Sequence, residues 1–288
     1  MSLSSPLVSA KDLASHIADP NIVIIDASLP PVGGGHRPEA KWPGVVIGSA
    51  KRMDIENDFS DSYAPFPHTM LSANAFQQQC RSLGINDDSH VVVYDDLGLF
   101  SAARAWWMLK AMGHKQVSVL DGGLPQWLRL GLPTRQAIGS ASSESVAGNF
   151  TAKPQDDYFV DSSFVLKALE NKDYCVLDAR AQGRFIGTVP EPRSGVRNGH
   201  MPNASNMPYS ALLSDGLLKP PSVLKAVFTN KLGSANSIVT SCGSGITACI
   251  LALAAQVANI NVRIHVYDGS WAEWGATQVL PVVQGEQS

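Results

Sequence analysis

Charged residues are sparse in this chain, and no cluster of basic residues stands out. Asp, Glu, Lys and Arg together make up 16% of the 288 residues, and the formal net charge is −3. A chain without runs of lysine or arginine has little electrostatic attraction for nucleic acid or for an anionic membrane surface. We therefore expect no nucleic-acid partner and no membrane partner.

Cysteine is also scarce, and long apolar runs are missing. The four cysteines form no CxxC pair and no histidine-flanked zinc pattern, so we predict no metal site. The first residues lack the basic start and the apolar stretch of a signal peptide. No apolar run approaches the roughly 20 residues that span a bilayer. These features predict a protein of the reducing cytoplasm.

The chain does contain an internal repeat. Residues 90–133 and 237–281 each run through an apolar strand, a Gly-bearing loop, an apolar helix, a second strand ending in Asp-Gly, and then a tryptophan. The spacing agrees as well as the order, because 26 residues separate Asp95 from Asp121 and 26 separate Cys242 from Asp268. Alternating strands and helices of this kind predict an α/β fold with a mainly parallel sheet in each copy.

The repeat predicts two domains, which is also the number expected for this length. A stretch rich in Ser, Ala and Gly separates the copies and reads as a linker. We place a first domain at 1–138, the linker at 139–155 and a second domain at 156–288. The first copy has Asp95 where the second has Cys242. We therefore expect catalysis in the second domain and none in the first.

Cys242 lies where a reactive thiol is favoured. The residues before it predict a buried strand, and those after the loop predict a helix. Gly243 and Gly245 allow the loop to turn several backbone N–H groups toward one point. Those donors, with the positive end of the helix, favour a thiolate or a persulfide anion. The alternative is a small buried residue beside a turn. Of the other cysteines, Cys80 on a predicted helix, Cys175 on a predicted strand and Cys249 on the apolar helix are expected to be core residues.

An ordered series of short motifs runs through both halves of the chain. They are Pro67-His68-Thr-Met, Trp106-Trp107, Asp178-Ala-Arg180, Gly183-Arg184-Phe185, Glu191-Pro192-Arg193, Gly199-His200-Met-Pro202 and the loop from Cys242 to Thr247. Together they resemble the 3-mercaptopyruvate sulfurtransferases, two-domain members of the rhodanese superfamily. The resemblance implies two tandem rhodanese-like domains and a persulfide on Cys242. It implies 3-mercaptopyruvate as sulfur donor, release of pyruvate, and a thiol acceptor (thioredoxin or a small thiol) or cyanide, with no metal or organic cofactor.

The resemblance also implies roles for the arginines of the second half. Arg184 and Arg193 are expected to bind the carboxylate and keto group of the substrate, since a guanidinium can hold a carboxylate bidentately. Arg180, which follows a predicted strand, is expected to pair with an acid of its domain. Arg197 lies outside the matched motifs and is predicted to be a surface residue.

A relay of serine, histidine and an acid is implied for polarising the substrate or moving its proton. Ser244 matches the loop serine and His68 matches the histidine of the first half. Histidine suits proton transfer near neutral pH, although a loop histidine that caps local structure is the alternative. The acid is expected to be Glu56, with Asp54 left open as the other candidate.

The active-site loop also bears on the donor. Besides Cys242, its substrate-binding residues are expected to be Gly243, Gly245, Ile246 and Thr247. Thiosulfate-preferring rhodaneses generally resemble Cys-Arg-Lys-Gly-x-Thr, with two cations beside the thiol, whereas this chain has Gly243 and Ser244 there. A neutral loop suits a donor whose charge lies away from its sulfur, as in mercaptopyruvate.

Three other functions are considered. A thiosulfate:cyanide sulfurtransferase would share the persulfide and differ only in donor. A non-catalytic rhodanese-like binding module would not need Cys242, Ser244 and the two arginines. A cysteine-based phosphatase would need an arginine six residues after the thiol to clamp phosphate, and this chain has Ala248 there.

Overall fold

The computed structural model describes residues 5–30, 44–137 and 146–286. These residues fall into two units. The first unit takes the chain up to Ser60, Met70–Gln155 and Asp215–Leu217. The second takes Asp61–Thr69, Asp156–Ser214 and the chain from Leu218 onward. The short segment Asp61–Thr69 therefore belongs to the second unit, although it lies in the first half of the sequence.

The first unit is built around a parallel sheet. Its strands are β1 (Leu7–Val8), β2 (Ile22–Asp26), β3 (Val45–Ile47), β4 (Lys51–Arg52), β5 (His90–Tyr94), β6 (Val117–Leu120) and β7 (Thr134–Gln136). Its helices are α1 (Ala10–His16), α2 (Ala73–Ser82), α3 (Ala102–Ala111) and α4 (Gly123–Arg129). Five strands pair in parallel in the order β1-β6-β5-β2-β4, and β3 pairs antiparallel with β7.

The second unit repeats this plan. Its strands are β8 (Phe159–Val160), β9 (Tyr174–Asp178), β10 (Ser205–Asn206), β11 (Leu213–Ser214), β12 (Leu217–Leu218, shared with the first unit), β13 (Ser237–Ser241) and β14 (Arg263–Tyr267). Its helices are α5 (Ser162–Leu169), α6 (Gln182–Phe185), a 3-10 turn (Tyr209–Leu212), α7 (Pro221–Leu232), α8 (Ala248–Val257) and α9 (Ser270–Trp274). Five strands pair in parallel in the order β8-β14-β13-β9-β10.

The predicted duplication is therefore confirmed at the level of topology, because the two sheets have the same strand order. The tryptophans that follow the Asp-Gly pair of each copy also have equivalent surroundings. Trp127 and Trp274 are both fully buried, and their indole N–H groups donate to the carbonyl oxygens of Pro133 at 3.0 Å and Pro281 at 2.7 Å. A buried indole normally needs such an acceptor.

The helix that follows the predicted active-site loop is apolar on all sides, and it is buried accordingly. In α8 every residue from Ala248 to Ala255 is buried, as expected for a helix without a polar face. Its ten residues are far shorter than a bilayer-spanning segment. None of the helices in the described ranges has the length and hydropathy needed to cross a membrane.

Part of the predicted linker can be followed. Backbone N–H groups of Gly148, Phe150 and Lys153 donate to carbonyl oxygens of the first unit at 2.8–3.1 Å. Residues 138–145 of that stretch lie outside the described residues. The domain boundaries at 138 and 156 stay a prediction.

Candidate active site

Cys242 lies at the carboxyl end of a central strand. All five residues of β13 are buried, and β13 lies between β9 and β14 in the sheet. The chain leaves the strand at Cys242, turns at Gly245 with a left-handed φ of 75°, and enters α8 after Thr247. The predicted position between a buried strand and a helix is confirmed. Cys242 itself is 2% exposed, Ile246 is buried, and Thr247 is half-buried.

The main chain around Cys242 is held by the start of α9. The carbonyl oxygen of Cys242 accepts the N–H of Trp271 at 3.0 Å, and that of Gly243 accepts the N–H of Ala272 at 2.8 Å. The N–H of Cys242 donates to Ser270 Oγ at 3.2 Å. Three backbone groups of Cys242 and Gly243 therefore have fixed partners within the second unit.

In the equivalent turn of the first unit, backbone N–H groups form an anion-binding cradle, and the side-chain carboxylate of Asp95 occupies it. Asp95 Oδ1 accepts the N–H of Leu97 at 2.9 Å, and Oδ2 accepts those of Phe100, Ser101 and Ala102 at 2.7–2.9 Å. Burial raises the pKa of Asp95, and these four N–H groups oppose that shift. The ionised carboxylate is the form that satisfies all four donors, because it is a pure acceptor.

Ser244 brings a histidine and an arginine together. His68 Nδ1 lies 3.0 Å from Ser244 Oγ, and Arg193 Nη2 donates to the same oxygen at 3.4 Å. His68 is buried and has a left-handed φ of 62°, and it lies on the Asp61–Thr69 segment of the second unit. The structure thus places two predicted site residues, His68 and Arg193, at the hydroxyl of a third, Ser244, in an arrangement through which a proton can pass.

Arg184 reaches the loop from α6 and is held by a carboxylate. Its Nη2 donates to Glu191 Oε2 at 2.5 Å and its Nε to Glu191 Oε1 at 3.1 Å. The same Nη2 lies 3.1 Å from the position that a Cβ would occupy at Gly243. A side chain at residue 243 would therefore press against the guanidinium, and the glycine leaves that approach open.

The expectation that Arg180 pairs with an acid is confirmed. Arg180 donates to both carboxylate oxygens of Asp178, to Glu191 Oε1 at 2.9 Å and to the carbonyl oxygen of Gly199 at 2.8 Å. Its guanidinium also lies 4.1 Å from the ring centroid of Trp271, at cation–π distance. Glu191 therefore joins the buried Arg180 to the partly exposed Arg184.

The prediction that Arg197 is a surface residue was wrong. Arg197 is half-buried, and its guanidinium donates to the carbonyl oxygens of Trp274, Gly275, Thr277 and Leu280 at 2.6–3.0 Å. It ties the turn after α9 to the rest of the second unit. Four charge-assisted hydrogen bonds make it a structural residue of that unit.

The acid of the proposed relay is a residue of the first unit for either candidate. Glu56 is exposed, and its backbone N–H donates to Asp54 Oδ1 at 3.0 Å. Asp54 also accepts the backbone and side-chain N–H groups of Asn57, so its carboxylate caps this turn. The pairing of Glu56 with His68 stays a prediction.

Two of the other cysteines lie in surroundings that favour the protonated thiol, and the third donates a hydrogen bond. Burial raises the pKa of Cys80 and also that of Cys175, where the charge of Lys231 opposes the shift. Cys249 is fully buried, and its thiol donates to the carbonyl oxygen of Gly245 at 3.3 Å. All four cysteines are free thiols.

Two residues of the site were not assigned a role from the sequence. Glu191 was recognised only as part of a motif, and Ser270 was not singled out. A signal for Ser270 existed in the repeat, because Ser270 follows Cys242 by the same 28 residues that separate Gly123 from Asp95. Comparing the two copies beyond the Asp-Gly pair would have found a glycine in one copy and a serine in the other.

Comparison with known proteins agrees with this geometry. The rhodanese-like domain family matches residues 9–130 and 162–277. A 3-mercaptopyruvate sulfurtransferase of Escherichia coli strain K12 is 40% identical over 277 residues, covering 96% of each chain. A thiosulfate sulfurtransferase of Cricetulus griseus is 37% identical over 277 residues, covering 93% of this chain and 91% of the other.

A solved structure agrees as well. The crystal structure of the 3-mercaptopyruvate sulfotransferase SseA from Escherichia coli superposes with a TM-score of 0.81 at 37% identity. It covers 93% of this chain and 99% of its own. The expectation of two tandem rhodanese-like domains is confirmed, since the family matches twice and in both repeats. From its duplicated parallel sheets and from these matches, the chain belongs to the rhodanese-like family of sulfurtransferases.

Proposed function

We propose that this protein is a 3-mercaptopyruvate sulfurtransferase that carries the transferred sulfur as a persulfide on Cys242. The observation that carries the proposal is where the positive charge lies in the second unit. Gly243 and Ser244, next to the thiol, are neutral, whereas Arg193 donates to Ser244 Oγ and Arg184 lies against Gly243. Cations beside the loop suit a donor that has a carboxylate at one end and a thiol at the other.

In the first half-reaction the thiolate of Cys242 attacks the sulfur of mercaptopyruvate. An S–S bond forms, the C–S bond breaks, and its electron pair passes to the pyruvate enolate. Arg184 and Arg193 offset the charge that develops on the keto oxygen. The proton of the substrate thiol passes through Ser244 and His68 to the enolate carbon, which gives pyruvate. In this proposal Glu56, or Asp54 in its place, orients His68.

The persulfide anion is then held by backbone N–H groups of the loop. The cradle around Asp95 supports this step, because the same turn in the first unit presents four N–H groups to an anion. By the spacing of the repeat, the corresponding residues of the second unit are Ser244, Thr247, Ala248 and Cys249, of which Cys249 donates its N–H to the carbonyl oxygen of Ile246 at 3.2 Å. Gly245 has the left-handed φ that lets the loop close.

A thiol acceptor completes the cycle. A thiolate of thioredoxin or of a small thiol, or cyanide, attacks the outer sulfur and regenerates the Cys242 thiolate. We place the protein in the reducing cytoplasm, where such thiols are abundant and the four free cysteines stay reduced. The second domain, 156–288, is the catalytic one in this proposal, and the first, 1–138, is not.

A comparison of donors tests the proposal. We expect kcat/KM for 3-mercaptopyruvate, measured as pyruvate with a reducing thiol, to exceed that for thiosulfate, measured as thiocyanate with cyanide, by roughly tenfold or more, or about 1.4 kcal/mol. Without an acceptor, mercaptopyruvate should add one sulfur atom to the peptide that contains Cys242. A higher kcat/KM for thiosulfate would overturn the donor assignment. Absence of product with either donor would favour a binding module.

Changing Glu191 to glutamine is expected to shift the donor preference. Glu191 is nearly buried and its carboxylate pairs with Arg184. The variant keeps the shape of the site and removes this negative charge, so the net charge of the site rises by one. A dianion such as thiosulfate gains more from that charge than a monoanion does. We expect the ratio of kcat/KM for thiosulfate to that for mercaptopyruvate to rise roughly fivefold, about 1 kcal/mol.

The control for this variant is Glu170→Gln, which makes the same change of charge at an exposed position after α5. The control should leave the ratio at the wild-type value. An unchanged ratio in Glu191→Gln, with normal folding, would mean that the charge of Glu191 plays no part in the choice of donor.

A further inference from the structure

Ser270 combines three features that rarely occur together. It is fully buried, it is the first residue of α9, and its φ is 47°, in the left-handed region. A Cβ makes this conformation unfavourable, and serine does not share the tolerance of glycine or asparagine for it. Non-glycine residues held in this region tend to cluster at functional sites.

The first unit has a glycine at the equivalent position. Gly123 follows Asp95 by 28 residues, as Ser270 follows Cys242, and its φ is 51°. A Cβ on Gly123 would lie 2.3 Å from the carbonyl oxygen of Asp95, so in that unit a side chain has no room. The fold therefore requires a left-handed residue here in both units. The unit with Asp95 at the loop uses glycine, which adopts this conformation freely, and the unit with Cys242 at the loop uses a serine.

The hydroxyl of Ser270 accounts for this difference. Ser270 Oγ donates to the carbonyl oxygen of Tyr267 at 2.8 Å and accepts the N–H of Cys242 at 3.2 Å. Its single proton is used on Tyr267, so its lone pairs face the backbone of Cys242. The next two residues of α9, Trp271 and Ala272, bind the carbonyl oxygens of Cys242 and Gly243.

We propose that Ser270 is a positioning residue for Cys242: its hydroxyl holds the N–H of the nucleophilic cysteine and so fixes the main chain from which the thiol projects. This inference rests on the proposed function, in which Cys242 is the nucleophile. A glycine at residue 270 would avoid the backbone strain, but it has no hydroxyl to accept the N–H of Cys242. The N–H of Cys242 is committed to Ser270, so the anion cradle is left to the N–H groups further along the loop.

The test uses Ser270→Gly in the full-length protein. Glycine removes the hydroxyl, which leaves the N–H of Cys242 without its acceptor, but it also relieves the left-handed strain, so the variant should unfold closer to the wild-type temperature than Ser270→Ala does. We nevertheless expect kcat with mercaptopyruvate to fall roughly tenfold while KM changes less than about twofold, because the substrate-binding arginines are untouched. The pH profile of Cys242 alkylation by iodoacetamide should shift from that of the wild type.

Two further variants complete the experiment. Ser270→Ala removes the hydroxyl but keeps the Cβ, so it should lose the same kcat and also unfold at a lower temperature. Ser118→Ala removes a fully buried serine hydroxyl of the first unit and should leave kcat unchanged. Wild-type kcat and a wild-type alkylation profile in Ser270→Gly would overturn the proposal. If the wild type transfers no sulfur, the proposed function fails, and the alkylation profile still decides the role of Ser270.

Discussion

Replacing Cys242 by serine is expected to abolish sulfur transfer from mercaptopyruvate and from thiosulfate alike, with kcat/KM falling roughly 10³-fold or more. A serine hydroxyl at this position stays protonated near neutral pH and cannot form a persulfide. The change is nearly isosteric, so the fold should persist. Steady-state pyruvate and thiocyanate assays measure the loss, and thermal unfolding checks the fold.

The matched control for this substitution is Cys175→Ser. Cys175 is the second residue of β9, is half-buried, and donates its thiol proton to the carbonyl oxygen of Lys231. A serine can make the same hydrogen bond, so activity should stay within about twofold of the wild type. Should Cys242→Ser keep its activity while Cys175→Ser loses it, the nucleophile has been assigned to the wrong cysteine.

Replacing Asp95 by asparagine is expected to lower the free energy of unfolding by about 2–4 kcal/mol. Four backbone N–H groups, from Leu97 to the first residue of α3, converge on its two carboxylate oxygens. An amide offers only one oxygen, which is a weaker acceptor than a carboxylate oxygen. If that oxygen faces Phe100, Ser101 and Ala102, the NH₂ group faces the N–H of Leu97 and leaves it without an acceptor. Unfolding in urea, followed by tryptophan fluorescence, measures the change.

Asp88→Asn provides the comparison for Asp95→Asn. Asp88 is exposed and lies in the same unit, so this variant makes the same change of charge without touching the cradle. Its stability should stay within about 0.5 kcal/mol of the wild type. Equal stabilities for the two variants would contradict the view that the first unit depends on an anion at this turn.

The fold could be predicted from the sequence because the sequence contains an internal repeat. Equal spacings after Asp95 and Cys242 predicted equal arrangements of strand, loop, helix and strand, and both sheets have the same order. The position of Cys242 followed from the same pattern, since a buried strand and an apolar helix flank it. The histidine at residue 68 came only from a resemblance to a known family, because it lies 176 residues from Ser244.

The errors and omissions have a common physical origin. Arg197 binds four backbone carbonyl oxygens about 80 residues away. Every residue has a backbone carbonyl oxygen, so the residue types do not show which ones an arginine will bind. Ser270 accepts a hydrogen bond from a backbone N–H, and the sequence does not show such a contact either. Glu191 joins two arginines only because the turn after α6 returns it to the strand end at Arg180. Contacts to the main chain and contacts made by returning loops need the folded structure.

The Asp61–Thr69 segment has a consequence for how the gene can be divided. This segment belongs to the second unit and places His68 against Ser244. A cut between the two repeats therefore does not separate two self-sufficient modules. A fragment beginning at residue 156 would retain Cys242, Arg184, Arg193 and Ser244, but would lack the histidine. Recombination or shuffling of such halves in evolution would have to carry the nine-residue segment along with its distant partner.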